Sequence, residues 1–387
     1  MRSCPCLTFI NWSDQGFSGF VFLEKLTIQD CPDLLSPLVH KKDGSDDGAK
    51  SNGRWLLPPS LEEVDIGEYD SHGTLKPCFP RDSTSLKKLV VWGGHSLETI
   101  HLHSCTALEN LDIGCCESLT ALEGLCFLGR LTHLNVSDCP RLVHQDGNDD
   151  QANGRWLLPT SLCKLEINNS SSQETMKPCF PTDSTSLKTL EVQGSPGLQC
   201  IQLHSCTALE ELTIRFCGSL TALEGLQCLG SLRHLNVYRC PGLPPCLESF
   251  SRTDYRLYSR LERLEIDDSY VLTTSFCKHL TSLKHLRLNS LEKVRRLTDK
   301  QEQALVLLKS LQELEFDCFA LEDLPAGLHT LPSLKSLRIS CCPGISRLPE
   351  TGLPLSLELL KINLCSKELA DQCRLLATSK LLVVITS

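Results

Sequence analysis

The sequence predicts an α/β solenoid, with a parallel β-sheet on the concave side of the coils and irregular or short helical segments on the convex side. Two observations predict it. The nine-residue pattern L-x-x-L-x-I-x-x-C recurs along the 387 residues, and most copies start 22–31 residues apart. Hydrophobic residues make up 41% of the chain but aromatic residues only 5%, so the core must be aliphatic. A repeat of this length indicates coils that bury their apolar faces only against their neighbours.

Each copy of the pattern predicts one strand. In the copy LEKLTIQDC, Leu26 and Ile28 point into the coil, while Lys25 and Thr27 point outward, because side chains alternate along a strand. A period of about 20–29 residues with this signature is that of leucine-rich repeats. Fourteen copies start at Leu23, Leu61, Leu86, Leu108, Leu131, Leu162, Leu187, Leu209, Leu232, Leu261, Leu283, Leu311, Leu334 and Leu357. Between two of these copies, TDKQEQALVLLKSL predicts a helix with Thr298 as its N-cap.

The 23 cysteines are interpreted as structural. Their odd number excludes a fully paired disulfide framework within one chain, and no C-x-x-C spacing indicates a zinc site. The first residues lack the apolar region of a secretory signal, so we expect reduced thiols and a cytoplasmic or nuclear location. Seven cysteines close a copy of the pattern, where a buried thiol acts as a small hydrophobic group: Cys31, Cys116, Cys139, Cys217, Cys240, Cys342 and Cys365.

Two further matches to the pattern, at 97–105 and 198–206, lie 11 residues from the copies on either side. Eleven residues are too few for a coil, so we expect these segments on the convex side. The first contains His101 and His103, a spacing that can hold a metal ion, but the second has Gln202 and His204 at those places. No third ligand follows at a motif spacing, so no metal site is predicted.

A longer repeat is superimposed on the coils. Residues 52–142 recur at 153–243 with a constant offset of 101, and identity extends through predicted loops such as NGRWLLP and KPCFP. A tandem duplication of four repeats is the simplest cause. Changed faces on two otherwise similar copies suit a recognition surface, although drift would also allow them. The changes at outward strand positions are Val90 to Glu191, Trp92 to Gln193, Asp112 to Thr213 and Gly114 to Arg215.

Outward side chains on the concave sheet are the predicted contacts with a protein partner. They are Lys25, Asp65, Trp92, Asp112, His133, Asn135, Glu166, Glu191, Arg215, His234, Tyr238, Arg263, Arg287 and Arg338. Trp92 and Tyr238 are the best anchors, because aromatic residues dominate interface energetics. Alternatively, Trp92 covers the flank of a neighbouring strand. Mid-strand acids predict an acidic stripe that Arg287 and Arg338 oppose: Asp65, Asp112, Glu166, Glu191, Glu265 and Glu315.

Several stretches carry a family resemblance. The C-P-x-L continuations at 31–34 and 139–142, the stretch LTDKQEQALVLLKSLQELEF, and LEDLPAGLHTLPSLKSLRISCCPGI resemble the leucine-rich repeats of plant intracellular NLR disease-resistance proteins, cereal coiled-coil members above all. The segment SKELADQCR resembles their closing cap. The resemblance implies a parent with an NB-ARC module that binds ATP or ADP. No G-x-x-x-x-G-K-[ST] is present, so no cofactor is expected for this chain.

These patterns predict three segments and a fragment of a longer parent. Residues 1–22 form a truncated first repeat and connector, because Met1 aligns with the last core position of a strand. Residues 23–365 form the solenoid, and 366–387 a C-terminal cap. The resemblance implies a recognition and autoinhibitory module of plant immunity. Its partner would be a pathogen effector, a guarded host protein, or the NB-ARC and coiled-coil part of the receptor.

Two other functions stay open on the residues alone. One is a free-standing scaffold or inhibitor of the ribonuclease-inhibitor class, unrelated to immunity, although the irregular spacings fit it less well. The other is an enzyme, which we do not expect, because no nucleophile elbow, paired carboxylates or metal motif is present. A net charge of −9 argues against nucleic acid as the partner. No apolar run reaches the length of a membrane span.

Overall fold

The computed structural model describes residues 20–30, 39–40, 58, 60–67, 73–75, 85–142, 158–168, 186–243, 258–267, 271–289, 294–317 and 320–386, with 39–40 and 73–75 as backbone only. The predicted broken first repeat lies outside the described residues apart from 20–22, and so does Cys31. The chain divides into two compact units, Met1–Cys206 and Thr207–Ser387.

The strands follow the predicted repeat. In the first unit they are β1 (Lys25–Gln29), β2 (Val39–His40), β3 (Glu63–Gly67), β4 (Gly73–Leu75), β5 (Lys88–Trp92), β6 (Leu97–His101), β7 (Asn110–Gly114), β8 (Ala121–Glu123), β9 (His133–Ser137), β10 (Lys164–Asn168), β11 (Thr189–Gln193) and β12 (Cys200–Gln202). In the second unit they are β13 (Glu211–Arg215), β14 (Ala222–Glu224), β15 (His234–Tyr238), β16 (Arg263–Ile266), β17 (His285–Asn289), β18 (Glu313–Asp317), β19 (Ser336–Ser340), β20 (Leu359–Asn363) and β21 (Leu382–Thr386).

One strand from each copy of the pattern enters a parallel sheet, so the predicted leucine-rich-repeat solenoid is confirmed. The first unit has the order β1-β3-β5-β7-β9-β10-β11, and the second has β13-β15-β16-β17-β18-β19-β20-β21. Equivalent pattern positions pair in register; for example, Leu89 pairs with Leu111, and Leu111 with Leu134. Because side chains alternate, the second and fourth residues of the fourteen strands that carry the pattern form the buried core, while the first, third and fifth point outward.

The closing cysteines end the strands in one conserved geometry. Each described closing thiol lies 3.0–3.4 Å from the carbonyl oxygen two residues earlier. The residue between them is left-handed; Cys115 has φ 52° and Phe216 has φ 56°, a region that side chains rarely adopt. The same φ precedes all seven closing cysteines of the sequence pattern. The thiol thus donates a hydrogen bond to the carbonyl oxygen of the last strand residue, at the point where the chain leaves the sheet. This hydrogen bond explains the preference for cysteine at that position.

The outer side of the coils carries short irregular elements. β6 pairs with β8 in a separate four-stranded sheet, β2-β4-β6-β8, so the match at 97–105 lies outside the main sheet as predicted. Three short α-helices occur among the described residues: α1 (Thr274–Cys277), α2 (Asp299–Leu305) and α3 (Lys367–Arg374). There are also 3-10 turns at Leu125–Phe127, Leu226–Cys228, Tyr258–Arg260 and Ala326–Thr330. Thr298 caps α2 in a capping box with Gln301, so that prediction is confirmed.

The C-terminal segment adds a helix and one further strand to the sheet. Ser366 caps α3 by accepting from the Leu369 amide, and Leu369, Ala370 and Cys373 of that helix are buried. The chain then returns as β21, which pairs with β20 in parallel. No helix of the described residues has the length and apolar character needed to span a bilayer.

Candidate protein-binding surface

The structure places all fourteen predicted contact residues at outward strand positions, and none of them is buried. In the first unit, register sets the third residues of successive strands in one row, with neighbouring strands about 4.8 Å apart. We call this row the acidic row; it contains four carboxylates and no cation: Thr27, Asp65, Val90, Asp112, Asn135, Glu166 and Glu191.

A depression of about 320 Å³ opens over the middle of the acidic row. Asn135 Nδ2 donates a hydrogen bond to Asp112 Oδ1 at 2.9 Å, and Lys164 Nζ lies 2.6 Å from Glu166 Oε1. The depression is lined by residues of four successive strands, β5, β7, β9 and β10, and the lysines Lys88 and Lys164 lie in it together with the two carboxylates. The residues that line it are Lys88, Asn110, Leu111, Asp112, His133, Leu134, Asn135, Lys164 and Glu166.

Asp112 is the most perturbed carboxylate of this surface. Partial burial raises the pKa of its carboxyl above the ordinary value. Hydrogen bonds from Trp92 and Asn135, and the nearby charge of Lys88, favour the ionised form, whereas the charge of Glu166 disfavours it. An additional cation that approaches this partly buried carboxylate would stabilise its ionised form. Within the row, Glu166 already pairs with Lys164, whereas Asp112 accepts hydrogen bonds from the neutral donors of Trp92 and Asn135.

Trp92 combines the two interpretations offered for it. Its indole lies flat against Gly114 of the next strand, so that a Cβ added to Gly114 would stand 2.7 Å from Trp92 Cδ2. The indole Nε1 donates to Asp112 Oδ1 at 3.3 Å. The side chain therefore covers the flank of β7, yet 37% of the residue stays exposed beside the acidic row. The importance of Gly114 was missed, although the second copy replaces both residues together, with Gln193 and Arg215.

In the second unit the predicted acids and arginines alternate along one row of third residues, in the order Glu265, Arg287, Glu315 and Arg338. Arg287 Nε lies 3.7 Å and Arg338 NH1 3.5 Å from Glu315 Oε1, and Glu315 is only 7% exposed. Arg287 also pairs with Asp317 at 2.9 Å. Likewise, Glu265 accepts from Asn236 at 3.0 Å. Glu315 is thus paired with arginines of both neighbouring strands, and Glu265 also lies 3.6 Å from Arg263 NH1 of its own strand, so this row carries mixed charge.

An aromatic group lies at the strand ends of the second unit. The rings of Tyr238 and Phe216 meet edge to face, with centroids 5.4 Å apart and planes at 89°. The Arg239 guanidinium lies 5.6 Å from the Tyr238 centroid and 5.7 Å from that of Phe216. Sequence reasoning named Tyr238 but missed Phe216, because Phe216 occupies the left-handed turn position rather than the strand. The sequence could have indicated Phe216, because each residue directly before a closing cysteine occupies the same left-handed turn position.

Three of the other predicted residues of basic type form surface ion pairs, Lys25 and His234 with a neighbouring strand and Arg263 within its own strand. Lys25 Nζ lies 3.0 Å from Glu63, His234 Nδ1 lies 3.0 Å from Glu211, and Arg263 NH1 lies 3.6 Å from Glu265. Exposed pairs of this kind contribute about 0–1 kcal/mol each, so they set local charge rather than stability.

No protein-family model matches the chain, and no curated protein is significantly similar to it. Among solved structures, a leucine-rich-repeat protein of Leptospira interrogans shares 17% identity at a TM-score of 0.47, covering 96% of this chain and 94% of that one. An internalin from Listeria monocytogenes has 18% identity, a TM-score of 0.39, and coverage of 78% and 80%. The functional domain of InlJ from Listeria monocytogenes, described as including a cysteine ladder, has 18% identity, a TM-score of 0.40, and coverage of 74% and 57%.

Proposed function

We propose that the chain is a protein-recognition module that takes a positively charged segment of its partner onto the acidic row of the first unit. The observation that carries this proposal is the open depression lined by Asp112 and Glu166. Asp112 of β7 and Glu166 of β10 lie on either side of Asn135 of β9, and the partly exposed Trp92 donates a hydrogen bond to Asp112. An aromatic side chain next to complementary charge is a common arrangement at binding hot spots.

The finer part of the proposal is that this module serves a plant intracellular immune receptor, in the cytoplasm or nucleus. Its support is the resemblance of the repeats to those of cereal NLR proteins. In such a receptor, the acidic row would hold a basic segment of the NB-ARC module in the resting state, or one of an effector or guarded protein. Electrostatic complementarity of this kind raises association rates and selects partners.

The test is charge reversal on the row. The variant E166K/E191K is co-expressed with an NB-ARC module from the same locus, and both association and cell-death output are measured. The control E117K/E224K makes the same charge change at exposed positions outside the main parallel sheet. We expect the row variant to lose association about tenfold or more while the control binds as wild type. Equal behaviour of the two variants would contradict the proposed surface.

A further inference from the structure

Three metal-ligating side chains converge on the outer side of the first unit. His101 ends β6, His103 follows two residues later, and Glu123 ends β8. One ligand atom from each lies within 4.8 Å of the other two, and His101 Nδ1 is 2.8 Å from Glu123 Oε2. Within the described part of the chain, these three are the one group of three or more His, Cys, Asp or Glu residues with that geometry.

The backbone holds these donors in place. β6 and β8 are paired so that His101 stands opposite Glu123. Leu102, between the two histidines, is fully buried, and its amide donates to the Glu123 carbonyl at 2.7 Å. Because the middle residue of the H-x-H points inward, both flanking imidazoles point to the outside of the coil. The third donor therefore comes from the next coil, 22 residues on, which a search for ligands within one motif does not find.

A glycine brings the chain unusually close to the second histidine. Gly124 is left-handed, with φ 88°, and a Cβ added there would lie 2.9 Å from His103 Cγ and from the His103 amide nitrogen. On its other side, the His103 ring has the Phe127 ring at a centroid distance of 6.2 Å. The His103 imidazole is exposed, and its ring centroid lies 6.3 Å from that of His101.

We infer that His101, His103 and Glu123 form a binding site for a divalent transition-metal ion of the zinc class. Two imidazoles and a carboxylate are suitable ligands for Zn²⁺, and three protein ligands leave a fourth position for water. Donor atoms around a tetrahedral zinc lie about 3.3 Å apart at usual bond lengths, so closing the present spacing requires only side-chain rotation of exposed groups. An ion pair between His101 and Glu123 would explain why these two donors lie together, but it would not explain the position of the His103 ring beside them.

The duplicated copy supplies an internal comparison. At the equivalent positions it has Gln202, His204 and Glu224, so one imidazole of the set is replaced by an amide. An amide is a poor ligand for zinc, so we expect the second copy, with Gln202 in place of His101, to bind zinc more weakly than the first.

The test is a titration of the reduced chain with Zn²⁺ alone, followed by calorimetry and by the histidine ring-proton NMR signals. Because thiols also bind zinc, the site is measured as a difference from wild type. We expect H101Q, which copies the second repeat, to lose one equivalent, and E123Q to weaken that equivalent by more than about tenfold. The matched control H204Q should bind as wild type.

The inference is overturned if H101Q and E123Q both bind as much Zn²⁺ as wild type does. It is also overturned if H204Q loses as much Zn²⁺ binding as H101Q does. Circular dichroism establishes that each variant is folded. Glu123 is exposed and carries no core contact, so E123Q keeps the site testable even if a histidine variant is unstable.

Discussion

Replacing Gly114 with alanine should displace the Trp92 indole and weaken the first unit. The new Cβ would lie 2.7 Å from two indole carbons, well inside ordinary contact distance, so the ring must move. Overpacking of this kind costs about 1–3 kcal/mol, and losing the hydrogen bond from Nε1 to Asp112 costs about 0.5–1.5 kcal/mol when the carboxylate stays partly buried. Gly114 has no positive φ, so alanine recovers about 0.5–1 kcal/mol of strand propensity. The net expectation is a loss of about 2 kcal/mol, within a range of about 0.5–4 kcal/mol.

The assay is urea unfolding of G114A, W92A and the double variant, together with the indole NMR signals of the four tryptophans. The Trp92 signal, assigned with W92F, should shift in G114A while the other three stay in place. In the W92A background the alanine at 114 should become neutral or stabilising, because nothing remains for its Cβ to meet. A G114A penalty of equal size in both backgrounds would refute the assigned packing of Trp92 on Gly114.

Three more outcomes follow from the described contacts. At pH 8, iodoacetamide should label Cys126 much faster than Cys105, because burial raises the pKa of the Cys105 thiol to about 12 and leaves little thiolate. Peptide mapping by mass spectrometry measures the ratio of the two labelling rates. Equal labelling of the two cysteines would contradict the burial of Cys105. R287A should destabilise by about 1–3 kcal/mol by leaving Glu315 with one cation fewer, and adding E315Q should restore most of this loss in denaturant unfolding. T298A should cost about 1 kcal/mol, whereas T298D, which keeps an N-cap acceptor, should not.

The sequence predicted the strands because burial of one side-chain row per coil leaves a strong periodic signal. All fourteen starts became strands of the main sheets. β21 was missed as a sheet strand because it lacks the leucine pattern, and its place comes from pairing with β20. As the final strand of its sheet it buries little; Leu382, for example, is 62% exposed, so no burial pattern marks it.

The candidate surface was only partly predictable. Register follows from aligning the repeats, so the row that places Asp112, Asn135 and Glu166 on successive strands could be drawn from the sequence. The pairing of Glu315 with two arginines could not, because it depends on long side chains reaching across strands. Glu123 was missed for a related reason: coils stack at the repeat period, so its nearest partners are 20–22 residues away in sequence rather than within a motif.

The most direct test of the central claim is site-specific photo-crosslinking from the acidic row. A photoreactive residue is placed at Val90, in the middle of that row, or at Thr120, which is exposed outside the main sheet. Each chain is irradiated with a co-expressed NB-ARC module from the same locus. We predict crosslinks to the partner from position 90 and none from position 120. The substitutions E166K/E191K should abolish the crosslinks from position 90. Crosslinks from position 120 alone would contradict the assignment of the acidic row as the recognition surface.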